Sequence, residues 1–504
     1  MRHLLAAVLA ACLLAGCASV PVHHNAPLAT RINAFIAQAR FAHADWGISV
    51  VSLDSGRTLY SHRADKLFVP ASNAKLYTAA LAFSNLGDAQ IGTTLYATSS
   101  AQTDGTLNGD LILLGGGDPS LGNAGASPDW ADRFARMLAD RGVRRVRGDL
   151  IADATYFEGP PIGGGWEAND LQAWYAAPAS ALSVQENVAR VQVARANGHC
   201  CTVSLEPDDA GLRVINLMRD DDRGRDTLVL YRPPGSEIMY ASGGLAAGVQ
   251  SRTFTVSVPD PPLFAGNLLH DALAKHGITL GGQVRSLSWP RFNSEFVHQA
   301  GMWPIGEIPA PPLPELIRHM LKDSDNLYAQ VLLQRVGART AYTGTCADRA
   351  EPPTTSADWG LCALRAMLAR IGIPDGSATF EEGAGLSRKD LVTPAATTTL
   401  LAWAAKQPFA DAFKNALPLA GVDGTLENRF TGTQAADNLR AKTGTLTHAY
   451  ALSGYLTDAR GEHLAFSLML DHYQRPADAL GRHVPPSPDA DLDTIATMLA
   501  TSAH

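Results

Sequence analysis

Basic charge is scarce in this chain. Lys and Arg number 41 against 49 Asp and Glu in 504 residues, a formal net charge of −8. Such a chain has no basic field to hold a phosphate backbone, which excludes nucleic-acid binding as its main role. Cysteine is sparse as well, with 6 in all, no Cys-x-x-Cys pair and no His-Glu-x-x-His. No zinc spacing is present, so neither a metal nor another cofactor is implied. The apolar run near the start, Leu4 to Leu14, is too short to cross a bilayer. What is there is ordinary globular material: 46% hydrophobic and 18% charged residues, in a length sufficient for two or three cores.

The first residues read as a targeting signal, with Arg2 and His3 ahead of the apolar run and Ala15-Gly16-Cys17 after it. Leu14-Ala15-Gly16-Cys17 resembles the lipobox of bacterial lipoproteins, which implies cleavage before Cys17 and diacylation of its thiol. On that reading residues 1–16 are a signal peptide and 17–27 a tether; the alternative is an ordinary secretory signal cut at a small residue nearby. Both export the protein. In an oxidising compartment Cys346 and Cys362 are candidates for a disulfide, whereas adjacent Cys200 and Cys201 do not bridge easily without strain.

Periodicity organises the rest. Ile32, Phe35, Ile36 and Ala39 predict an amphipathic helix, Trp46 to Leu53 and Thr58 to Tyr60 a hairpin turning at Asp54-Ser55-Gly56. At the other end, Tyr450 to Thr457 and His463 to Leu470 predict two more strands, and Leu492, Ile495 and Leu499 a closing helix. The two ends are therefore expected to fold together, residues 28–96 with 298–504, as helices on an antiparallel sheet. Residues 97–297 read as an insertion: an α/β part (97–188 and 259–297) around a β-rich module (189–258). In the α/β part a helix at Trp130 to Asp140 precedes a strand at Val146 to Ile151, and a helix at Leu263 to Lys275 precedes one at Gln283 to Leu287. Two patterns here lead nowhere. Gly115-Gly116-Gly117 lacks the Lys-Ser/Thr ending of a phosphate loop, and the aspartates at 220–222 lack the distal glutamate of a calcium loop.

Three short motifs carry chemistry. Ser72 and Lys75 fall at i and i+3 on the first turn of a helix whose apolar positions are Leu76, Ala79, Ala80 and Phe83, so their side chains can meet. A lysine can take the serine's proton only if its pKa, near 10.4, falls by roughly 3 units, about 4 kcal/mol of environmental bias. On its own the pair is a weak signal, because a serine there also serves as a helix cap. Ser324-Asp325-Asn326 sits at a break between helices at Glu315 to Lys322 and Leu327 to Val336, where a loop could aim polar side chains into a cleft. Lys442-Thr443-Gly444 immediately precedes the Tyr450 strand, and a glycine there would let an extended substrate approach the strand edge.

Ser-x-x-Lys, Ser-x-Asn and Lys-Thr-Gly in that order are the signature of serine β-lactamases and penicillin-binding proteins. The long stretch between Ser72 and Ser324, Gly115-Gly116-Gly117-Asp118-Pro119 and Ala177-Pro178-Ala179-Ser180-Ala181-Leu182 resemble the class C low-molecular-mass penicillin-binding proteins. These are serine D-alanyl-D-alanine carboxypeptidases and endopeptidases of the bacterial cell wall. The resemblance implies an α/β (α+β) fold with a β-lactamase-like transpeptidase domain, an antiparallel sheet flanked by helices and carrying a large inserted region. It implies Ser72 as nucleophile, Lys75 as its base, and Lys442 as a second cation keeping Lys75 neutral. Ser324 would relay a proton, and Asn326 would bind the substrate amide. An oxyanion hole would form from the N–H groups of Ser72 and Thr445, with Thr443, Gly444 and Thr445 along the substrate. Asp153 would lean over the site to meet the amine of the substrate's diamino acid, with Arg388 partnering a nearby carboxylate; the plainer reading makes Asp153 a turn cap and Arg388 a surface residue. The expected partners are peptidoglycan stem peptides and β-lactams, and the expected place is the periplasm, on a lipid anchor in the outer membrane. In Glu382-Gly383-Ala384-Gly385-Leu386-Ser387-Arg388 the first and third positions depart from the family's Asp-Gly-Ser-Gly-Leu-Ser-Arg.

Two other functions compete. A β-lactamase of class A type needs a glutamate base acting through water, and no Glu-x-x-x-Asn follows Ser324 in the expected region; Glu351 is followed by Pro352 and Pro353. A non-catalytic wall-binding lipoprotein would not need three intact motifs.

Overall fold

The computed structural model describes residues 27–87, 90–123, 125–196, 199–220, 225–289, 302–343, 346, 352–475 and 486–503. The expected signal peptide and Cys17 lie outside the described residues. In chain order, α1 (Leu28–Ile36) leads to β1 (Asp45–Ser52) and β2 (Thr58–His62), and a 3₁₀ turn at Ala71–Asn73 runs into α2 (Ala74–Asn85). There follow β3 (Gly92–Ala97), β4 (Leu111–Gly115), α3 (Trp130–Asp140), β5 (Leu150–Asp153), β6 (Val188–Ala196) and β7 (His199–Glu206). Next come β8 (Arg213–Met218), β9 (Val229–Tyr231), β10 (Ile238–Gly243), β11 (Ser251–Ser257), α4 (Pro261–Lys275), β12 (Val284–Leu287) and β13 (Trp303–Pro309). The chain closes with α5 (Leu313–Lys322), α6 (Asn326–Thr343), α7 (Ser356–Arg370), α8 (Pro394–Ala404), β14 (Arg440–Leu446), β15 (Ala449–Thr457), β16 (His463–Asp471) and α9 (Pro488–Ala500). Strands of two residues are left unlabelled.

The two ends of the chain share one antiparallel sheet, in the order β14-β15-β16-β1-β2. Asp45 of β1 pairs with Asp471 of β16. Along β16 the side chains part by the period of two: Leu464, Phe466, Leu468 and Leu470 pack with α1 and α9, and Ala465 and Met469 pack with α2, α5, α6 and α8. Both faces of the sheet are covered, so β16 is apolar nearly throughout rather than alternating.

A second five-stranded sheet has the order β12-β5-β4-β3-β13 and is mixed, with β4, β5 and β12 parallel and β3 and β13 antiparallel at the other side. Its strands β3 and β13 begin before residue 97 and lie beyond residue 297. The run expected as one strand at Val146 to Ile151 is divided. Arg145–Val146 joins a small separate sheet, and Asp110 accepts the Asp149 N–H at 2.7 Å where the chain bends between the two. Two three-stranded sheets, β8-β10-β9 and β11-β6-β7, make up the β-rich part. One hydrophobic cluster runs from Leu95 through Val191, Val193 and Met239 to Ile308, and takes in Leu327, Val331 and Ala338 of α6.

Cys346 and Cys362 are joined by a disulfide. Cys200 and Cys201 are joined too, against expectation: the peptide bond between them is cis and the Cα atoms stand 3.1 Å apart. No described helix is long and apolar enough to cross a membrane.

Candidate active site

Ser72 stands on the 3₁₀ turn, just ahead of α2 rather than inside it. The turn is seated by backbone contact: an ideal Cβ on Gly385 would lie 1.9 Å from the Ala71 carbonyl oxygen, so only glycine fits opposite it. α2 is buried all round from Ala74 to Ala82, which carries the Lys75 side chain through core to the cleft. Lys75 Nζ lies 2.9 Å from Ser72 Oγ, 2.5 Å from Asn326 Oδ1 and 2.7 Å from the Ala384 carbonyl. Its hydrogen-bond acceptors are neutral. Burial pulls its pKa down to about 8, against the opposing attraction of Glu382, Asp325 and Asp390.

Lys442, the expected second cation, shares the buried site with Lys75. Lys442 is itself fully buried, and burial first, then Lys75, hold it well below the usual lysine range. Two ammonium groups that share one desolvated site cannot both stay charged cheaply. Lys442 Nζ donates to Ser324 Oγ at 2.8 Å and to the Thr443 carbonyl at 2.9 Å.

Ser324 occupies the left-handed region, φ +61°, at the break between α5 and α6. Asp325 behind it accepts the Tyr328 N–H at 2.9 Å and so caps α6. Both polar atoms of the Asn326 amide are engaged within the protein: Oδ1 with Lys75, Nδ2 with the Tyr175 carbonyl at 2.7 Å.

β14 is the edge of its sheet. The Ala441 N–H donates away from β15 to the Pro418 carbonyl at 3.1 Å; by alternation the Thr443 and Thr445 N–H groups face the same open side. Thr445 is exposed there, and Thr443 Oγ1 donates to Thr425 Oγ1 at 2.8 Å. The expected reason for Gly444 needs correction. An ideal Cβ would lie 2.6 Å from the Pro70 carbonyl and 3.0 Å from Asn73 Nδ2, so the missing side chain admits the Ser72 turn, not a substrate. Asn73 Nδ2 completes that joint by donating to the Lys442 carbonyl at 3.1 Å.

Asp153 is also corrected. It ends β5 with no exposure, and its Oδ1 accepts the Thr155 N–H at 2.8 Å. It caps a turn, and a substrate amine has no access to it. Arg388 is exposed, donates to the Thr447 carbonyl at 2.6 Å and stands 3.6 Å from Glu167. The Glu382–Arg388 stretch is organised by its first residue. The Glu382 carboxylate, fully buried, accepts N–H groups from Ala384 at 2.6 Å, Gly385 at 2.5 Å and Leu386 at 2.8 Å, which turns the Ala384 carbonyl toward Lys75.

The atoms missed from sequence are backbone carbonyls, those of Ala384 and Tyr175. A motif search sees side chains and misses these, though Tyr175 lies two residues before the Ala177–Leu182 stretch singled out above. A cavity of about 1000 Å³ lined by Arg31, Arg429 and Asp493 holds none of the motif residues.

Comparison with known proteins gives a consistent result. The model of a family described as "D-Ala-D-Ala carboxypeptidase 3 (S13)" matches residues 28–484. A D-alanyl-D-alanine carboxypeptidase of Actinomadura sp. is 33% identical over 490 residues, 94% of this chain and 84% of that protein. D-alanyl-D-alanine carboxypeptidase DacB of Haemophilus influenzae is 26% identical over 434 residues, 85% of each. The crystal structure of penicillin binding protein 4 (dacB) from Haemophilus influenzae superposes with a TM-score of 0.78 at 25% identity, covering 92% of this chain and 97% of that one. The same protein complexed with a β-lactam superposes with a TM-score of 0.73 at 23% identity, over the same shares of the two chains.

Proposed function

The chain belongs to the D-Ala-D-Ala carboxypeptidase 3 (S13) family, and on that premise we propose that its cleft is that of a serine D-Ala-D-Ala carboxypeptidase acting on peptidoglycan stem peptides. Cleavage of D,D-cross-links is a second use of the same acyl-enzyme, and β-lactams are covalent inhibitors. The observation that carries the reading is Lys75, a fully buried amine 2.9 Å from Ser72 Oγ with neutral acceptors around it.

In the proposed mechanism Ser72 Oγ attacks the carbonyl carbon between two D-alanines while its proton passes to neutral Lys75. The oxygen charge that develops is met by the N–H groups of Ser72 and Thr445. The C–N bond then breaks, and a proton reaches the leaving D-alanine amine through Ser324, which is bonded to Lys442. Water hydrolyses the Ser72 ester by the reverse transfer. With a β-lactam the leaving nitrogen stays attached to the acyl group, so the ester persists. Thr443 and Thr445 border the substrate carboxylate on the open edge of β14. At the exposed rim Arg388 and Glu167 are paired, and in this reading the Glu167 carboxylate is the group that would meet a free amine of the stem, with Arg388 as its partner.

Fluorescent penicillin tests the assignment: label on the wild type that vanishes in Ser72→Ala is expected, and label surviving in Ser72→Ala would sink it. Digestion of purified wall fragments with product masses separates terminal D-Ala release from cross-link cleavage. We also propose export and lipidation at Cys17, with Ala18 and Ser19 after it favouring the outer membrane of a Gram-negative periplasm. Labelled palmitate should enter the wild type and not Cys17→Ser; equal incorporation would end that reading.

A further inference from the structure

Behind the Ser324 turn the fold gathers a second group of side chains that the peptidase chemistry does not use. His319 of α5, Glu186 from a turn in the insertion, and Asp325 each present one atom, all within 4.8 Å of one another. The spacing in sequence gives no hint of it. We propose that His319 Nε2, Glu186 Oε1 and Asp325 Oδ2 form a binding site for one divalent transition-metal cation of the zinc type, which fastens the insertion to the turn that carries Ser324.

The geometry suits an ion. His319 Nε2 lies 3.3 Å from Glu186 Oε1 and 3.9 Å from Asp325 Oδ2. Ligands about 2.0–2.2 Å from a shared tetrahedral zinc stand roughly 3.3 Å from each other, so the His319–Glu186 pair already fits, while Asp325 must move in by about half an ångström or more to close the site, which leaves a fourth position for water. The tautomer is set in the same way as in known metal sites. His319 Nδ1 is 2.9 Å from Asp323 Oδ2; a ring N–H given to that carboxylate leaves the Nε2 lone pair facing the two other acids. Each acid is held as well. Asp325 accepts the Tyr328 N–H through its other oxygen, and Glu186 Oε1 accepts from Asn123 Nδ2 at 3.0 Å. The Glu186 turn is fixed by the buried Asn187, whose amide bonds Val184, Pro178 and Ser183.

Charge points the same way. Glu186, Asp323 and Asp325 surround one imidazole. A divalent ion at their centre would satisfy three acceptor atoms that otherwise face each other.

The test uses the full chain, stripped with a chelator and titrated with Zn²⁺ by calorimetry. One equivalent is expected, with affinity at least tenfold weaker in His319→Gln and in Glu186→Gln, and a zinc-dependent rise in melting temperature in the wild type alone. Asp323→Asn should weaken binding 10- to 100-fold, about the usual effect of losing such a partner. If His319→Gln melts early in chelator, Glu186→Gln, at a partly exposed position, decides. Failure of the wild type to bind zinc overturns the site, and so does an equivalent retained unweakened in Glu186→Gln. The readout is metal binding, so it stands or falls independently of the peptidase reading.

Discussion

Lys75 must be neutral to accept a proton and buried to be neutral, and burial brings its pKa to about 8 against three nearby acids. The sign follows from the direction of the shift. A lysine with a lowered pKa is the free amine above that pKa and the ammonium below it, so the competent base is lost as pH falls. The second-order rate of β-lactam acylation should therefore rise about tenfold per pH unit below pH 8 and level off above it. Stopped-flow acylation between pH 5.5 and 9.5 checks this, and a rate still climbing past pH 9.5 would give the limb to an unperturbed amine. At this scale the side chains that the candidate site brings together were legible because each motif is local: one turn of helix, one loop, one strand. Asp153 was misjudged because sequence places it at a strand end without saying which way the strand faces. Gly444 was assigned the wrong neighbour because its contact, Pro70, is distant in sequence.

Among the elements, the Glu382–Arg388 loop shows how a departure from a family motif is absorbed. Its glutamate reaches into the bend and accepts three N–H groups at 2.5–2.8 Å, where the carboxylate is fully buried. Glu382→Ala strands those donors, and at about 1–3 kcal/mol for each buried group left unsatisfied the loss should be about 3 kcal/mol or more. Thermal melting should show it, together with slower acylation, since the Ala384 carbonyl would no longer be aimed at Lys75; an unchanged melting temperature would refute the argument. Sequence periodicity found this fold's helices and hairpins well, because faces that meet a core repeat at 3.6 or 2 residues. It misread Val146 to Ile151 as one strand, though Arg147-Gly148-Asp149 parts its apolar ends, and the break falls where the Asp110 side chain accepts the Asp149 N–H. α6 reads as apolar on more than one face for a tertiary reason: Leu327 and Val331 enter the cluster of the insertion while Ala329, Leu332 and Leu333 enter that of the terminal sheet. Asn326 thus sits on a helix gripped from both sides.

For the whole molecule, we propose that the terminal sheet with its helices and the inserted region are two bodies, the β-rich module sharing the core of the second. The sheet that holds β3 and β13 brings the chain out and back side by side: Gly92 pairs with Pro309. That adjacency bears on the order of folding. Pairing β1 with β16 in an unstructured chain requires closing a loop of several hundred residues, an entropy cost on the order of 5 kcal/mol. Once β3 and β13 are zipped, the two ends of the host are held about 5 Å apart, one strand spacing, and the loop left to close falls to roughly half its length, which lowers that cost by about 0.7 kcal/mol. We infer that the insertion acts as a clamp during folding, assembling first and shortening the loop that the two halves of the terminal sheet must close. Pulse-labelled hydrogen exchange during refolding should find amides of β3, β4 and β5 protected before those of β1 and β16, and the reverse order would refute it. On that order a guest of this kind would set when the host becomes an enzyme, because Ser72 and Lys442 lie on opposite sides of it in the chain and would meet after the clamp has closed.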